Sequence, residues 1–242
     1  MIEFDPDNIA TLARQRLETM RDAGDRVLEC LRVLNLTDDN IVGELIKNEA
    51  TFFEWNHYPD GDVYDPVSHS QYYYHTHPQE ERSGEHGHFH TFLRPKGMPG
   101  TIKPAPIDDY EAPKDPDDAL SHLVAISMNP AGLPIKLFVT NRWVTGETWY
   151  TAKNVIAMLD RFEMDMAWPS MPVNIWITAM LQLFRPDIEA LMIERDEAVT
   201  AWERRHPDEN VYEDRGLEIT SIRDISVEKQ IKRVNAALAA KT

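Results

Sequence analysis

Apolar residues recur at helical spacing over the first part of the chain, from residue 7 to about residue 34. This spacing places them on one face of an amphipathic α-helix. Thr37 and Asp38 follow, and both residue types are typical of a helix start because their side-chain oxygens cap free backbone N–H groups. We therefore predict that residues 1–48 form a helical arm with one long and one short helix.

After residue 50 the pattern changes to the alternation and aromatic content of β-strands, beginning with residues 51–57. Four further segments with strand periodicity lie at residues 71–77, 86–94, 122–128 and 135–142. The sequence Asn-Pro-Ala-Gly at residues 129–132 is a strong turn signal that joins the last two segments into a hairpin. Residues 50–143 are therefore predicted to form an antiparallel sheet of about five strands.

Helical periodicity returns after Gly146 and dominates residues 147–242. Pro172 and Pro186 each fit the first turn of a helix, and the second of these helices extends to about Arg205. A short strand near residues 217–222 and a helix near 227–239 complete the pattern. We predict a single α+β domain in which N-terminal and C-terminal α-helices flank the sheet.

Residues 95–120 hold six of the sixteen prolines, which disfavours both helix and central strand. A long loop within a domain is often functional. This segment is predicted to be either a lid over the sheet or a surface crossover between strands.

Charge and cysteine content narrow the classes of ligand. A formal net charge of -16 argues against nucleic acid and anionic membranes as partners, because clustered Lys and Arg bind both. Cys30 is the only cysteine, so a metal held within one chain would have nitrogen and oxygen ligands. No signal-peptide pattern and no membrane-spanning apolar run is found, which favours a cytoplasmic protein. A homo-oligomer or a protein partner stays open.

Histidines are concentrated in the predicted strands. Seven of the nine lie between residues 57 and 90: His57, His69, His75, His77, His86, His88 and His90. Side chains two apart in a strand share a face at roughly 6.5 Å, which lets two imidazoles reach one ion. The pairs with this spacing are His75 and His77, His86 and His88, and His88 and His90.

A hairpin between residues 71–77 and 86–94 would set His75 opposite His88 and His77 opposite His86. The outer two of His86, His88 and His90 would lie roughly 13 Å apart along a strand, so all three are not expected to bind one ion.

His88 and His90 are the leading candidate ligands, because Phe89 and Phe92 indicate a partly buried strand. Other candidate ligands are His86, His75 and His77, the carboxylates Glu85 and Glu80, and His57 and His122 on strands that could lie beside the pair.

Imidazole and mixed imidazole–carboxylate sites suit iron, copper or zinc. Three protein ligands with an open position would indicate a catalytic site, and four a structural one. The alternative is a polar, exposed sheet face that binds no metal.

A second group of functional residue types lies at residues 141–150. Arg142 could bind a substrate carboxylate in bidentate geometry, and Trp143 could form an apolar wall of the pocket. The structural alternative is an internal ion pair between Arg142 and Glu147. Motifs for nucleotide binding, for the usual serine hydrolases and for zincins are missing from the sequence.

The strings Gly-Glu-His-Gly-His-Phe-His at residues 84–90 and Asn-Arg-Trp-Val-Thr-Gly-Glu at residues 141–147 resemble the signatures of an uncharacterised bacterial domain-of-unknown-function family. The resemblance covers the chain from about Glu54 onward. It implies no activity.

These residues support three hypotheses. The first is a metal-dependent enzyme, an oxygenase or a hydrolase, acting on a small molecule near Arg142. The second is a non-catalytic metal-binding accessory protein, such as a chaperone or sensor. The third is a metal-free interaction subunit.

Overall fold

A computed structural model describes residues 8–47, 51–78, 80, 82–107 and 110–241. Its centre is a six-stranded antiparallel sheet in which each strand pairs with the next along the chain. The strands are β1 (Tyr58–Tyr64), β2 (Ser70–His75), β3 (Gly87–Leu93), β4 (Ser121–Met128), β5 (Pro134–Thr140) and β6 (Ile219–Asp224).

Helices precede and follow this sheet, so the predicted α+β class is confirmed. Within the described ranges the α-helices are α1 (Arg14–Asn35), α2 (Ile41–Ile46), α3 (Arg142–Thr145), α4 (Ala152–Met158), α5 (Met171–Leu183), α6 (Arg185–Arg205) and α7 (Val227–Ala239). The predicted start of the first helix at residue 7 lies outside the described residues. No helix in these ranges has the length and apolar character that a membrane span requires.

Helix α5 covers one face of the sheet. This helix is apolar on nearly all sides because α1 packs against it on one side and the sheet on another. Trp176 of α5 is fully buried and its ring lies 5.4 Å from that of Phe89 in β3. Tyr72 in β2 donates a hydrogen bond of 2.7 Å to Asn174 of the same helix. Phe89, Tyr72 and their neighbours Tyr74 and Ile126 thus form the helix-covered face of the sheet.

Alternate residues of the same strands point to the opposite face. We call this the histidine face; its members include Tyr73, His75, His88, His90 and Phe138. Alternation along β2 and β3 therefore places the core tyrosines and phenylalanines on one face of the sheet and the imidazoles on the other.

The predicted strand at residues 51–57 is wrong. This segment is irregular, and β1 begins only at Tyr58. Its aromatic side chains pack at the end of the sheet: Phe52 stacks on Tyr58 at 4.7 Å, and the ring of Trp55 lies 4.2 Å from that of His77. The alternating aromatic residues of this segment therefore make the contacts of a loop, and they do not form a strand.

The sheet has six strands, in agreement with the predicted antiparallel sheet of about five strands. The short strand expected near residues 217–222 is β6, and it extends the sheet by pairing with β5. The proline-rich loop at residues 95–120 links the paired strands β3 and β4. One of its contacts with the helical half is the 2.8 Å backbone hydrogen bond from Ala105 to Trp149.

Candidate metal centre

Pairing of β2 with β3 sets His75 directly opposite His88, as the sequence predicts. Their Nε2 atoms lie 2.6 Å apart. His90, two residues further along β3, has its ring 4.8 Å from that of His88 and 5.3 Å from that of His75. One ring nitrogen from each of the three lies within 4.8 Å of the others. This triad, His75, His88 and His90, could hold a metal ion.

Burial keeps the triad uncharged. His88 and His90 are each 1% exposed, and His75 is partly buried. Loss of hydration lowers the pKa of His75 to about 3 and holds the pKa values of His88 and His90 well below the ordinary range. The neighbouring imidazoles and the Arg82 cation add to these shifts. At neutral pH all three rings are therefore in the neutral form that binds metals.

Glu85 orients the central ring of the triad. Its Oε1 lies 2.7 Å from Nδ1 of His88, and its other oxygen accepts a hydrogen bond from Ser127. Burial raises the pKa of Glu85. A carboxylate at Nδ1 favours the tautomer whose Nε2 carries a lone pair, and such pairs are common behind metal-binding histidines.

A β-bulge brings a further buried histidine, His122, to the histidine face. The register between β3 and β4 shifts after Thr91, so that Phe92 faces His122 and Leu123 has no partner. Strict alternation with Val124 would have placed His122 on the helix-covered face. Instead its Nε2 lies 3.0 Å from Nδ1 of His90.

Behind His122 lies a buried carboxylate, Glu147. Its Oε2 accepts a 2.7 Å hydrogen bond from the backbone N–H of His122, while Oε1 has no partner among the described residues. Burial raises the pKa of Glu147 to about 7. The fully buried Arg195 cation opposes this shift, and the structure gives no ion pair between the two groups among the described residues.

His57, which is exposed, and His77, which is half-buried, lie at the rim of the triad. The ring of His77 is 5.0 Å from that of His75 and 5.2 Å from that of His88. His57 stacks on Tyr73 at 3.6 Å, and its ring lies 5.9 Å from that of His75.

His86 does not join the triad. The β2–β3 ladder ends at His75 and His88, so the expected pairing of His77 with His86 does not form. Nδ1 of His86 instead lies 2.6 Å from the hydroxyl of Tyr74, a residue of the helix-covered face. Glu80 is exposed, and none of the described contacts connects it to the triad.

Gly87 explains why the strands approach so closely beside the triad. A Cβ at this position would lie 2.5 Å from the carbonyl oxygen of His75 and 2.6 Å from the hydroxyl of Tyr74. Close approach of the neighbouring strand is therefore the reason for this strand glycine.

A cleft of about 850 Å³ reaches Glu85, the residue that contacts His88, and its lining also includes Arg82, Lys136 and Ile222 but none of the triad histidines. The Arg82 guanidinium stands 5.0 Å above the ring of Phe138, which in turn lies 5.0 Å from the ring of His88. Sequence reasoning missed Arg82 because it lies in a loop between strands with no pattern of its own.

Arg142 and Trp143 occupy α3, and no described contact links them to the triad. Arg142 pairs with Glu213, and not with Glu147. The indole N–H of Trp143 donates a 2.9 Å hydrogen bond to the carbonyl of Leu217, and Arg215 lies 4.4 Å above its ring. Both side chains therefore tie α3 to the segment that leads into β6.

A second group of ligand-type atoms lies on the surface at His206, Glu209 and Asp214. Asp214 is held by the indole of Trp202 at 2.6 Å and by the N–H of Gly216 at 2.7 Å. The Asp214 carboxylate is therefore already hydrogen-bonded, and Glu209 is exposed. The triad is the better enclosed of the two groups.

Comparison with known proteins identifies the family. Neither the curated proteins nor the solved structures contain a match to this chain. A family model described as a domain of unknown function (DUF6969) matches residues 21–225, which extend from within α1 to the residue after β6. The match includes the triad, His122 and Arg82. It starts upstream of Glu54, where the sequence resemblance was expected to begin. The chain therefore belongs to the domain-of-unknown-function family DUF6969.

Proposed function

We propose that this protein binds one divalent transition metal ion through His75, His88 and His90, and that it is a metal-dependent enzyme. The observation that carries the proposal is the convergence of one nitrogen from each residue within 4.8 Å. Nε2 of His90 is buried and has no hydrogen-bond partner among the described residues. A buried nitrogen without a partner costs free energy, and metal coordination would remove that cost.

The three imidazole nitrogens restrict which metal ions the site would bind. Three neutral imidazoles suit zinc, iron or copper, whereas calcium and magnesium prefer oxygen ligands. Two nitrogens bound to one tetrahedral zinc ion lie roughly 3.3 Å apart. The 2.6 Å contact between His75 and His88 would have to widen by a fraction of an ångström, which small side-chain rotations can supply.

Three protein ligands favour catalysis over a purely structural role, because they leave a coordination position for water or substrate. A metal in this position would act as a Lewis acid or as an activator of oxygen. Glu85 would hold the His88 ring in its binding orientation, and Arg82 would supply a positive charge beside the centre.

A non-catalytic metal carrier is the second candidate. It is favoured by His57 and His77, which lie at the rim and bring further imidazoles within 6 Å of His75 between ring centres. A carrier would exchange its metal rapidly, whereas an enzyme would retain it.

Substitution of the site with Co²⁺ tests the enzyme proposal. We expect one equivalent to give the visible absorption of a low-coordinate centre, and we expect azide to perturb that spectrum by entering the open position. A Co²⁺ spectrum that azide leaves unchanged, in a protein that releases the ion within seconds to a chelator, would favour the carrier.

A further inference from the structure

Six imidazoles form a continuous file from the surface to the interior. Ring-to-ring distances are 5.9 Å from His57 to His75, 5.0 Å from His77 to His75 and 4.4 Å from His75 to His88. The file continues for 4.8 Å from His88 to His90 and for 4.9 Å from His90 to His122. Exposure decreases along it, because the side chain of His57 is 43% exposed while His122 is fully buried.

The buried end of this file presents a kinetic difficulty. A divalent ion in water carries a tightly bound hydration shell, and the triad at which it would arrive is enclosed and uncharged. Removing all of that water in one step is costly. Replacing the water one ligand at a time, by imidazoles of increasing burial, avoids this cost.

His57 is arranged as a metal ligand at the exposed end. Its Nδ1 lies 2.9 Å from Oδ1 of Asp62. The other oxygen of Asp62 accepts a 2.7 Å hydrogen bond from Gln71. A carboxylate at Nδ1 leaves Nε2 of His57 with the lone pair, as Glu85 does for His88. The stacking on Tyr73, with 8° between the planes, fixes the ring orientation.

His77 is the second residue at the exposed end, and its ring lies within about 5 Å of both His75 and His88. The indole of Trp55, which is 54% exposed, meets the His77 ring edge-on at 4.2 Å. An ion bound at His77 would therefore alter the fluorescence of Trp55.

We propose that His57 and His77 form a capture site that takes a divalent transition metal from solution and transfers it through His75 to the triad. This inference rests on the proposed metal binding by the triad. The capture site sets the rate of loading, whereas the triad sets the affinity. The net charge of -16 would support capture, because it raises the local concentration of cations.

Rapid mixing with Co²⁺ alone tests this proposal on the full chain. Trp55 fluorescence reports the capture site, and visible absorption of bound Co²⁺ reports the triad. The variant His57→Phe/His77→Phe keeps aromatic rings against Tyr73 and Trp55 but removes the ligand nitrogens. The control His206→Phe removes a half-buried histidine of the other ligand-type group and keeps an aromatic ring against Trp202. In the variant Trp55→Phe the fluorescence phase should disappear, which assigns that phase to Trp55.

In the wild type we expect a fluorescence phase that precedes the absorption phase. In the double variant the loading rate should fall about tenfold or more, with one equivalent still bound at equilibrium. The control should load at the wild-type rate.

Three results would overturn the proposal in distinguishable ways. A wild type that binds no Co²⁺ at equilibrium removes the proposed function, and the capture site with it. A double variant that loads at the wild-type rate removes the capture site and leaves the triad intact. A folded double variant that has lost equilibrium binding makes His57 or His77 a permanent ligand instead.

Discussion

Nδ1 of His88 lies 2.7 Å from Oε1 of Glu85, only three residues before it in the chain. Glu85 lies in the loop before β3, whereas His88 is the second residue of that strand. The strand thus fixes the position of the imidazole while the loop fixes its rotation and tautomer. An imidazole whose position and rotation are already fixed loses little conformational entropy when it binds an ion.

Replacement of Glu85 by Gln should weaken metal binding while the fold is retained. The amide cannot supply the negative charge that raises the basicity of His88, so we expect the dissociation constant for Zn²⁺ to rise about 10- to 100-fold. Competition with a chelator of known affinity measures this change. Glu80→Gln, at an exposed position, is the matched control. Equal Zn²⁺ affinities of the two variants would contradict the orienting role of Glu85.

Substitution of Gly87 by Ala should damage the site through the backbone. The added methyl group would meet the carbonyl of His75 and the hydroxyl of Tyr74 at distances that real Cβ atoms do not adopt. Separation of β2 from β3 at this end should cost about 1–3 kcal/mol in the free energy of unfolding and should weaken metal binding. Chemical denaturation measures the first effect. Gly100→Ala, where no atom lies within 4 Å of the new Cβ, should leave both properties unchanged.

Acid should destabilise the metal-free protein. The pKa values of His75 and His122 are each lowered to about 3, and those of His88 and His90 are also well below the ordinary range. Below about pH 6.5 these histidines take up protons in the unfolded chain but not in the folded chain. The free energy of unfolding therefore has its full value above that pH and decreases as the pH falls. At pH 5 His75 and His122 each reduce stability by about 2 kcal/mol, and His88 and His90 act in the same direction. This loss is a substantial part of the 5–15 kcal/mol that is typical of a folded domain.

Denaturation of the metal-free protein between pH 7.5 and pH 5 measures this effect. Bound metal should reduce the loss near pH 6.5, because coordination also requires neutral imidazoles and stabilises the folded state. A free energy of unfolding that stays constant over this interval would contradict the proposed neutral state of the cluster.

Glu147 should have the opposite pH dependence. Its pKa is raised from 4.5 to about 7 by burial, so the folded chain retains a proton that the unfolded chain loses. Its contribution to stability is therefore present below pH 4.5 and declines as the pH rises towards 7. Glu147→Gln removes this penalty and should stabilise the protein at pH 8 by up to about 3 kcal/mol, with little difference near pH 4.5. A variant that is less stable than the wild type at pH 8 would show that charged Glu147 is needed.

Much of the fold could be predicted because the strands of the sheet pair in chain order. Period-two spacing located β2 to β5, and the turn ending in Gly132 joined β4 to β5, where Asn129 accepts hydrogen bonds from the N–H groups of Ala131 and Leu133. The segment 51–57 was misassigned because Phe53 and Trp55 alternate as in a strand, yet both are more than half exposed in the structure.

The centre itself was predictable where it depends on strand register, as the pairing of His75 with His88 demonstrates. His86 shares the spacing of His88 but lies before the first residue of β3, so its side chain is free to turn towards Tyr74. His122 reaches His90 only because of a bulge, and a bulge leaves no periodic signal in the sequence. Arg82 enters through a loop whose course depends on tertiary contacts with Phe138 and Glu218.

The most direct test of the central claim is elemental analysis of the full chain, purified without an affinity tag and saturated with Zn²⁺ at pH 7.5. We expect about one zinc per chain in the wild type and in His86→Ala, and none in a folded His88→Ala/His90→Ala variant. His75→Ala, at the partly buried ligand, provides a milder substitution should the double variant fail to fold, and it should also lose the ion. A wild type without bound zinc, iron or copper, or a His75→Ala protein that keeps a full equivalent while His86→Ala loses it, would contradict the assignment of the triad.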